Sequence, residues 1–271
     1  MLSLPYFISF KRNMHQEVNM TVLVFIYGLI IGSFLNVCIY RIPRNESVVF
    51  PSSHCPNCNH YLKWYDNIPL FSYIFLGGKC RYCKAPISIQ YPIVETLNAL
   101  IYLILFYYFS FSIDFIFYAL ISSVLVVITF IDLKEMIIPD ALVITILILS
   151  VVYKAVNYFT YDINPQILSS LGGLLLAGGL FLAIVILSKG GMGGGDVTLI
   201  AALGFILGHK FILFNIFLSF ILGAVISLIL LLTKIKTRKD PIPFGPFIIL
   251  AFFITIIWGE GILSLYINLI T

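Results

Sequence analysis

Charge is what this sequence has least of. Lys, Arg, Asp and Glu together make up 10% of the 271 residues, against 61% hydrophobic residues and a mean hydropathy of +1.06. A water-soluble globule of this size needs far less apolar side chain to fill its core, which excludes a soluble enzyme or binding module. The apolar runs are long, which excludes a membrane β-barrel and leaves helices to satisfy the backbone in lipid. Other signals are missing as well. The glycine run 190–195 does not follow a strand and lacks the Gly-Lys-Ser/Thr ending of a phosphate-binding loop, and no dinucleotide fingerprint occurs anywhere. Residues 1–19 carry Lys11 and Arg12, are too short for a span, and lack the small-residue cleavage site of a secretory signal.

What is present reads as an all-α polytopic membrane protein with about eight transmembrane helices. The spans fall at 21–40, 93–111, 115–131, 141–158, 166–187, 197–207, 211–232 and 244–258. The sixth is short, so it either continues past Gly208 or lines a cavity. With the long loop after the first span in the cytoplasm, that side collects 12 basic residues, among them Arg41, Arg44, Lys79, Arg81, Lys189, Arg238 and Lys239, against 4 opposite: Lys11, Arg12, Lys154 and Lys210. This asymmetry is the positive-inside pattern, and it puts Asp132 and Asp196 together on the cytoplasmic side. The segment before residue 21 reads as an interfacial or disordered leader.

Cys55-Pro56-Asn57-Cys58 and Cys80-Arg81-Tyr82-Cys83 are two knuckles of metal-ligand spacing. Two such turns close a four-thiolate site of the structural zinc type. The alternative is two disulfides, which seldom persist in a reducing cytoplasm. A loop this small and poor in apolar residues has no core, and a metal would supply its fold energy. His54 and His60 flank the first knuckle and read as solvated neighbours. Cys38, inside the first span, reads as a small buried hydrophobe.

Asp132 closes the apolar run 120–131, and Asp196 opens another after Gly193, Gly194 and Gly195. An ionisable residue at the edge of a span is a functional-site hypothesis by default. Two carboxyl groups sharing one proton form the machinery of an aspartic protease, in which one activates water and the other protonates the carbonyl oxygen. The glycines would let a second backbone approach closely. The bland reading makes Asp196 and Asp140 helix N-caps. Asp132 resists it, because at a helix C-terminus the dipole disfavours negative charge.

These motifs assemble into a known pattern. Gly32-Ser33-Phe34-Leu35-Asn36-Val37 with Arg41-Ile42-Pro43, the paired knuckles, Asp66-Asn67-Ile68-Pro69, Tyr91-Pro92-Ile93-Val94-Glu95, Asp132 through Pro139-Asp140, Gly193-Gly194-Gly195-Asp196 and Pro243-Phe244-Gly245-Pro246 occur in one order. In this the chain resembles the bacterial type IV prepilin peptidase family from about Tyr27 onward. Two departures stand out: Thr198 and Gln90 occupy positions where that family often has Lys and Arg. The resemblance implies a Gly-x-Gly-Asp intramembrane aspartic protease with Asp132 and Asp196 as its catalytic pair. It implies cleavage of the basic leader from prepilins or pseudopilins, then methylation of the new N-terminus from S-adenosylmethionine, with Asn36, Asp66 and Glu95 as polar groups near that cofactor. Pilus, competence and secretion systems all supply such substrates.

The expected organisation is a leader at 1–20, a first helix at 21–41, a cytoplasmic four-cysteine zinc domain at 42–92 forming the methyltransferase part, and a transmembrane peptidase domain at 93–271. The expected partners are prepilins and the lipid bilayer, with no nucleic acid. Rival readings are a peptidase without methylation, a zinc-anchored assembly protein without catalysis, and a transporter whose paired acids carry ions. A transporter of that kind predicts inverted repeats, and the internal echo seen here is confined to the two knuckles.

Overall fold

The computed structural model describes residues 14–188, 191–237 and 240–270, so Lys11, Arg12, Lys189, Gly190, Arg238, Lys239 and most of the leader segment lie outside the described residues. Eight α-helices form and, among the described residues, no strand: α1 (Met14–Arg41), α2 (Phe71–Phe75), α3 (Gln90–Phe109), α4 (Ile113–Glu135), α5 (Asp140–Tyr161), α6 (Ile167–Leu187), α7 (Gly194–Leu232) and α8 (Gly245–Ile270). All but the five-residue α2 are long and apolar enough to cross a membrane, making seven candidate spans. The chain packs as two compact units, one ending at Val127 and the other beginning at Ile128, with α4 running through the boundary.

In the first unit α1 and α3 pack backbone to backbone. A Cβ placed on Gly28 would lie 2.5 Å from Ala99 Cα, and one on Gly32 would lie 2.7 Å from Glu95 Cα. Two glycines four residues apart put both on one face of α1, and this small-residue seam is how helices associate where no hydrophobic effect drives them together. The seam also carries polar glue: Asn98 Nδ2 donates to Gly28 O at 2.8 Å, and Asn36 Nδ2 donates to Tyr91 O at 3.1 Å.

In the second unit the same device joins α6 to α7. A Cβ on Gly204 would meet Gly173 O at 2.4 Å, and Gly208 lies against Gly173 as well. The 39 residues of α7 are too many for one crossing, since about 20 suffice. Gly208 has non-helical torsions, φ 71 and ψ 172, and the chain reverses there. The packing demonstrates the reversal. Gly173 touches Gly204, while Phe181, further along α6, lies 5.8 Å from Phe220. A straight α7 would carry Phe220 about 24 Å beyond Gly204 and away from that partner. The expected sixth and seventh spans are therefore the two arms of α7, and the short first arm buries Leu199, Ile200, Leu203 and Phe205 in protein.

Gly204→Ala should destabilise the second unit by about 1–3 kcal/mol through overpacking. Gly179→Ala, whose new methyl meets nothing within 4 Å, should be neutral or slightly stabilising. Thermal unfolding in detergent, followed by circular dichroism, compares the two.

Candidate active site and thiol cluster

The apolar run containing Asp132 continues as helix to Glu135, so its carboxylate belongs to the last turn of α4 rather than to the helix end. Asp196 is likewise inside its helix: the N-cap of α7 is Gly193, and Asp196 lies three residues on. Asp140 opens α5 behind the N-cap Pro139 and makes no side-chain cap bond there. Neither aspartate is thus the N-cap that a plain sequence reading allows. Their environments differ sharply from that of Asp140, which is exposed, whereas Asp132 and Asp196 are buried.

One donor answers Asp132. The Gly245 N–H, at the start of α8, donates to Asp132 Oδ2 at 3.0 Å. A helix N-terminus is a ready site for negative charge, and it offsets the unfavourable end of α4's own dipole. A Cβ at residue 245 would lie 2.6 Å from that oxygen, so glycine is what lets the backbone reach the carboxylate. Ile138 flanks Gly245 and also covers Gly195, whose Cβ would lie 2.8 Å from Ile138 Cβ. One isoleucine therefore packs against both the glycine that serves Asp132 and the glycine that precedes Asp196. Asp196 Oδ1 is buried with no hydrogen-bond partner among the described residues. The three loop glycines are not equivalent. Gly195 has no room for a side chain, Gly193 is in ordinary contact with Asp196 Oδ2 at 3.4 Å, and Gly194 faces open space.

Gly245 and Ile138 were not singled out from the sequence. Pro243-Phe244-Gly245-Pro246 is a helix-start signal, but nothing in it says which carboxylate the new N–H will face.

The residues expected near S-adenosylmethionine are only partly brought together. Asn36 and Glu95 share the α1–α3 seam, where Glu95 Oε2 accepts 2.8 Å from the Leu70 N–H and Asn36 Oδ1 is buried with no partner among the described residues. Asp66 is engaged elsewhere, taking Arg81 Nε at 2.7 Å and the Lys63 N–H at 3.3 Å.

The four cysteines converge as their spacing predicts. Their sulfurs all lie within 4.8 Å of one another, and Cys55 and Cys83 Sγ are 3.8 Å apart. A tetrahedral zinc with bonds of about 2.3 Å needs sulfur–sulfur edges of about 3.8 Å, so the donor set fits the ion, whereas a disulfide needs about 2.05 Å. All five cysteines are free. The knuckles are copies of one turn. Cys55 N–H donates to His60 O and Cys80 N–H to Ala85 O, and the fifth residue of each, Asn59 and Lys84, has φ 55 and φ 61. His54 and His60 are exposed and outside the cluster, His60 lying on the Tyr82 ring at 3.5 Å.

The backbone of Ala85 and the Asn57 amide hold the Cys83 thiol down at about 6. The His60 backbone acts to lower Cys58, but desolvation and the thiols of Cys83 and Cys55 drive it up to about 11. Among crowded thiols, one becomes the thiolate and its neighbours keep their protons to donate to it. Metal analysis should find one zinc per chain, lost when Cys55 and Cys58 are both replaced by Ser. Stripping the metal should open all four thiols to alkylation at pH 7, read by mass spectrometry of the labelled peptides, since the loop loses its fold with the ion.

Comparison with known proteins places the chain in a family. The family model described as bacterial peptidase A24 N-terminal domain matches residues 26–109, and that described as type IV leader peptidase family matches residues 119–228. A chain from Aeromonas hydrophila named prepilin leader peptidase/N-methyltransferase is 35% identical, with 91% of this chain and 93% of that one covered. Chains of the same name from Legionella pneumophila and Bacillus subtilis (strain 168) are 35% and 33% identical, over 92% and 91% of this chain and 95% and 98% of theirs. No solved structure matches. Similarity of this extent, running through the helices that carry both buried acids, means that the chain belongs to the type IV leader peptidase family.

Proposed function

We propose that this protein cuts the basic leader from type IV prepilins or pseudopilins at the cytoplasmic face of the plasma membrane and then methylates the new N-terminus. Asp132 and Asp196 are the catalytic pair. One carboxylate takes a proton from the attacking water while the other carboxyl protonates the scissile carbonyl oxygen, and the pair then returns the proton to the leaving amine. The observation that carries this reading is the buried pair itself. Asp132 is clamped by a backbone N–H, and Asp196 presents an oxygen that no protein group among the described residues engages. A leader held in the cytoplasm by its basic residues, ahead of a helix left in the bilayer, puts the scissile bond at the interface where both acids sit.

For organisation, the first helix, expected over 21–41, begins at Met14 and so takes in the end of the expected leader, 42–92 is the four-cysteine part that serves methylation, and 93–271 is the peptidase part. Zinc is structural here, because four thiolates leave no open position. S-adenosylmethionine, when bound, supplies the methyl group. Asn36 offers it a free buried acceptor, while the Asp66 and Glu95 carboxylates already hold protein donors and would act by shaping the site. A transporter is disfavoured by the four-thiol insertion, which ion transport does not need.

Asp132→Asn and Asp196→Asn should each lower cleavage of intact prepilin by at least about 100-fold with folding and insertion unchanged, since an amide cannot move the proton. Asp140→Asn should keep substantial activity. Mass spectrometry of a purified prepilin incubated with each variant makes the comparison, and near-normal cleavage by either of the first two variants would remove the aspartic-protease reading.

The two activities should separate. With labelled S-adenosylmethionine, the Asp196→Asn protein should still methylate a pilin segment supplied already cut, whereas Asp66→Asn should lose methyl transfer more than cleavage. Parallel loss of both in every variant would mean a single shared site.

A further inference from the structure

The insertion between α1 and α3 carries an apolar face that no part of the first unit covers. Trp64 is 79% exposed and Phe75 84%, with Phe71 and Ile74 beside them also exposed. Over residues 64–75 the one charged side chain is Asp66, whose carboxylate is 2% exposed and tied to Arg81. An uncharged, aromatic, protruding stretch of this kind marks an interaction surface.

The height of this stretch along the helices says what it meets. Gly32 and Glu95 are level, as the 2.7 Å approach at the seam requires, and Glu95 takes the Leu70 N–H at 2.8 Å. Glu95 lies five residues inside the start of α3, about 8 Å, and Gly32 lies nine residues inside the end of α1, about 14 Å. Leu70 is therefore below the ends of two helices that are both candidate spans. A groove of about 430 Å³ repeats the point, since Ile26, Leu29 and Ile30 of α1 line it together with Trp64, Ile68 and Phe71.

The backbone is fitted for that depth. Non-helical chain is tolerated below the headgroups only if its polar groups are satisfied within the protein. The Leu70 N–H goes to Glu95, and those of Ser72, Ile74, Leu76, Gly77 and Gly78 go to carbonyls of residues 68–74. The Ser72 hydroxyl donates to Tyr65 O at 2.8 Å. Lys63 and Lys79 bracket the stretch, placed to reach back to lipid phosphates.

We propose that residues 64–75 form a shallow re-entrant wedge whose aromatic face lies against lipid acyl chains, latched at its depth by the Glu95 carboxylate on the Leu70 N–H. This goes beyond the peptidase reading and needs neither aspartate. The chain has two tryptophans, so Trp258→Phe leaves Trp64 as the sole reporter. With the full chain in phosphatidylcholine–phosphatidylglycerol vesicles, brominated acyl chains should quench Trp64 emission by at least half. Bromines near the carbonyl end should act more strongly than those near the methyl end, and aqueous iodide should have little effect. Quenching by iodide but not by brominated lipid would show a solvated loop and overturn the proposal. Quenching by neither would show a protein surface, such as a second copy or a pilin helix, in the lipid's place, and would overturn it equally. In the same background Glu95→Ala should raise iodide quenching several-fold while Glu95→Gln, which keeps an acceptor, stays near the parent. Equal quenching in parent and Glu95→Ala, with helical circular dichroism intact, would remove the latch.

Discussion

A carboxylate taken out of water must be answered by a donor, and the single bond from the Gly245 N–H to Asp132 is the answer around which the second unit is arranged. Removing a partner from a buried charge costs several times what the bond contributes when present, so the start of α8 is held where α4 ends. That constraint forces a glycine at 245, because any Cβ would displace the N–H from the oxygen it serves. It also fixes the neighbourhood: Ile138 packs on Gly245 and Gly195 together, so placing the donor for one acid places the turn that carries the other. The proton transfers proposed for these acids require such rigidity, since both protons move within one short-lived geometry.

Lipid sets the terms for the rest of the packing. Between helices that are apolar all round, association comes from close backbone contact, and the glycines at 28, 32, 173 and 204 provide it. Gly208 uses the other property of glycine: with φ 71 it turns α7 back on itself inside the protein, so the first arm can be shorter than a bilayer and still be clothed by neighbours. The short arm is the one that delivers Asp196.

The insertion faces the opposite problem. Cys55 and Cys80 are the buried hydrophobic residues it has, so convergent thiols and the Asp66–Arg81 pair hold its shape in place of a core. Its large side chains are left pointing outward, which is unfavourable in water and favourable against acyl chains. The compensation differs in kind between the insertion, which relies on metal-competent thiols, and the helices of both units, which rely on glycine-tight packing.

Much of this was legible in the residues. Hydropathy alone determined a polytopic helical protein, because a bilayer of fixed thickness imposes a length and a composition on every crossing. The knuckle spacing determined the thiol cluster, since a turn of two intervening residues leaves its sulfurs little choice of partner. Asp132 and Asp196 were visible as acids at span edges, for the reason that such residues are expensive to keep there. Other features appeared only when segments distant in sequence met. Gly245 reaches Asp132 across more than a hundred residues, Ile138 joins two turns, and Gly208 reverses a helix that hydropathy had left ambiguous. Asp196 moved from a helix cap to an interior position for the same reason, since a cap is a local motif and the local sequence allowed several. Glu95 shows the division most clearly. Its place near the start of a span was visible, but its partner, the backbone N–H of Leu70, belongs to a loop whose depth tertiary packing alone decides.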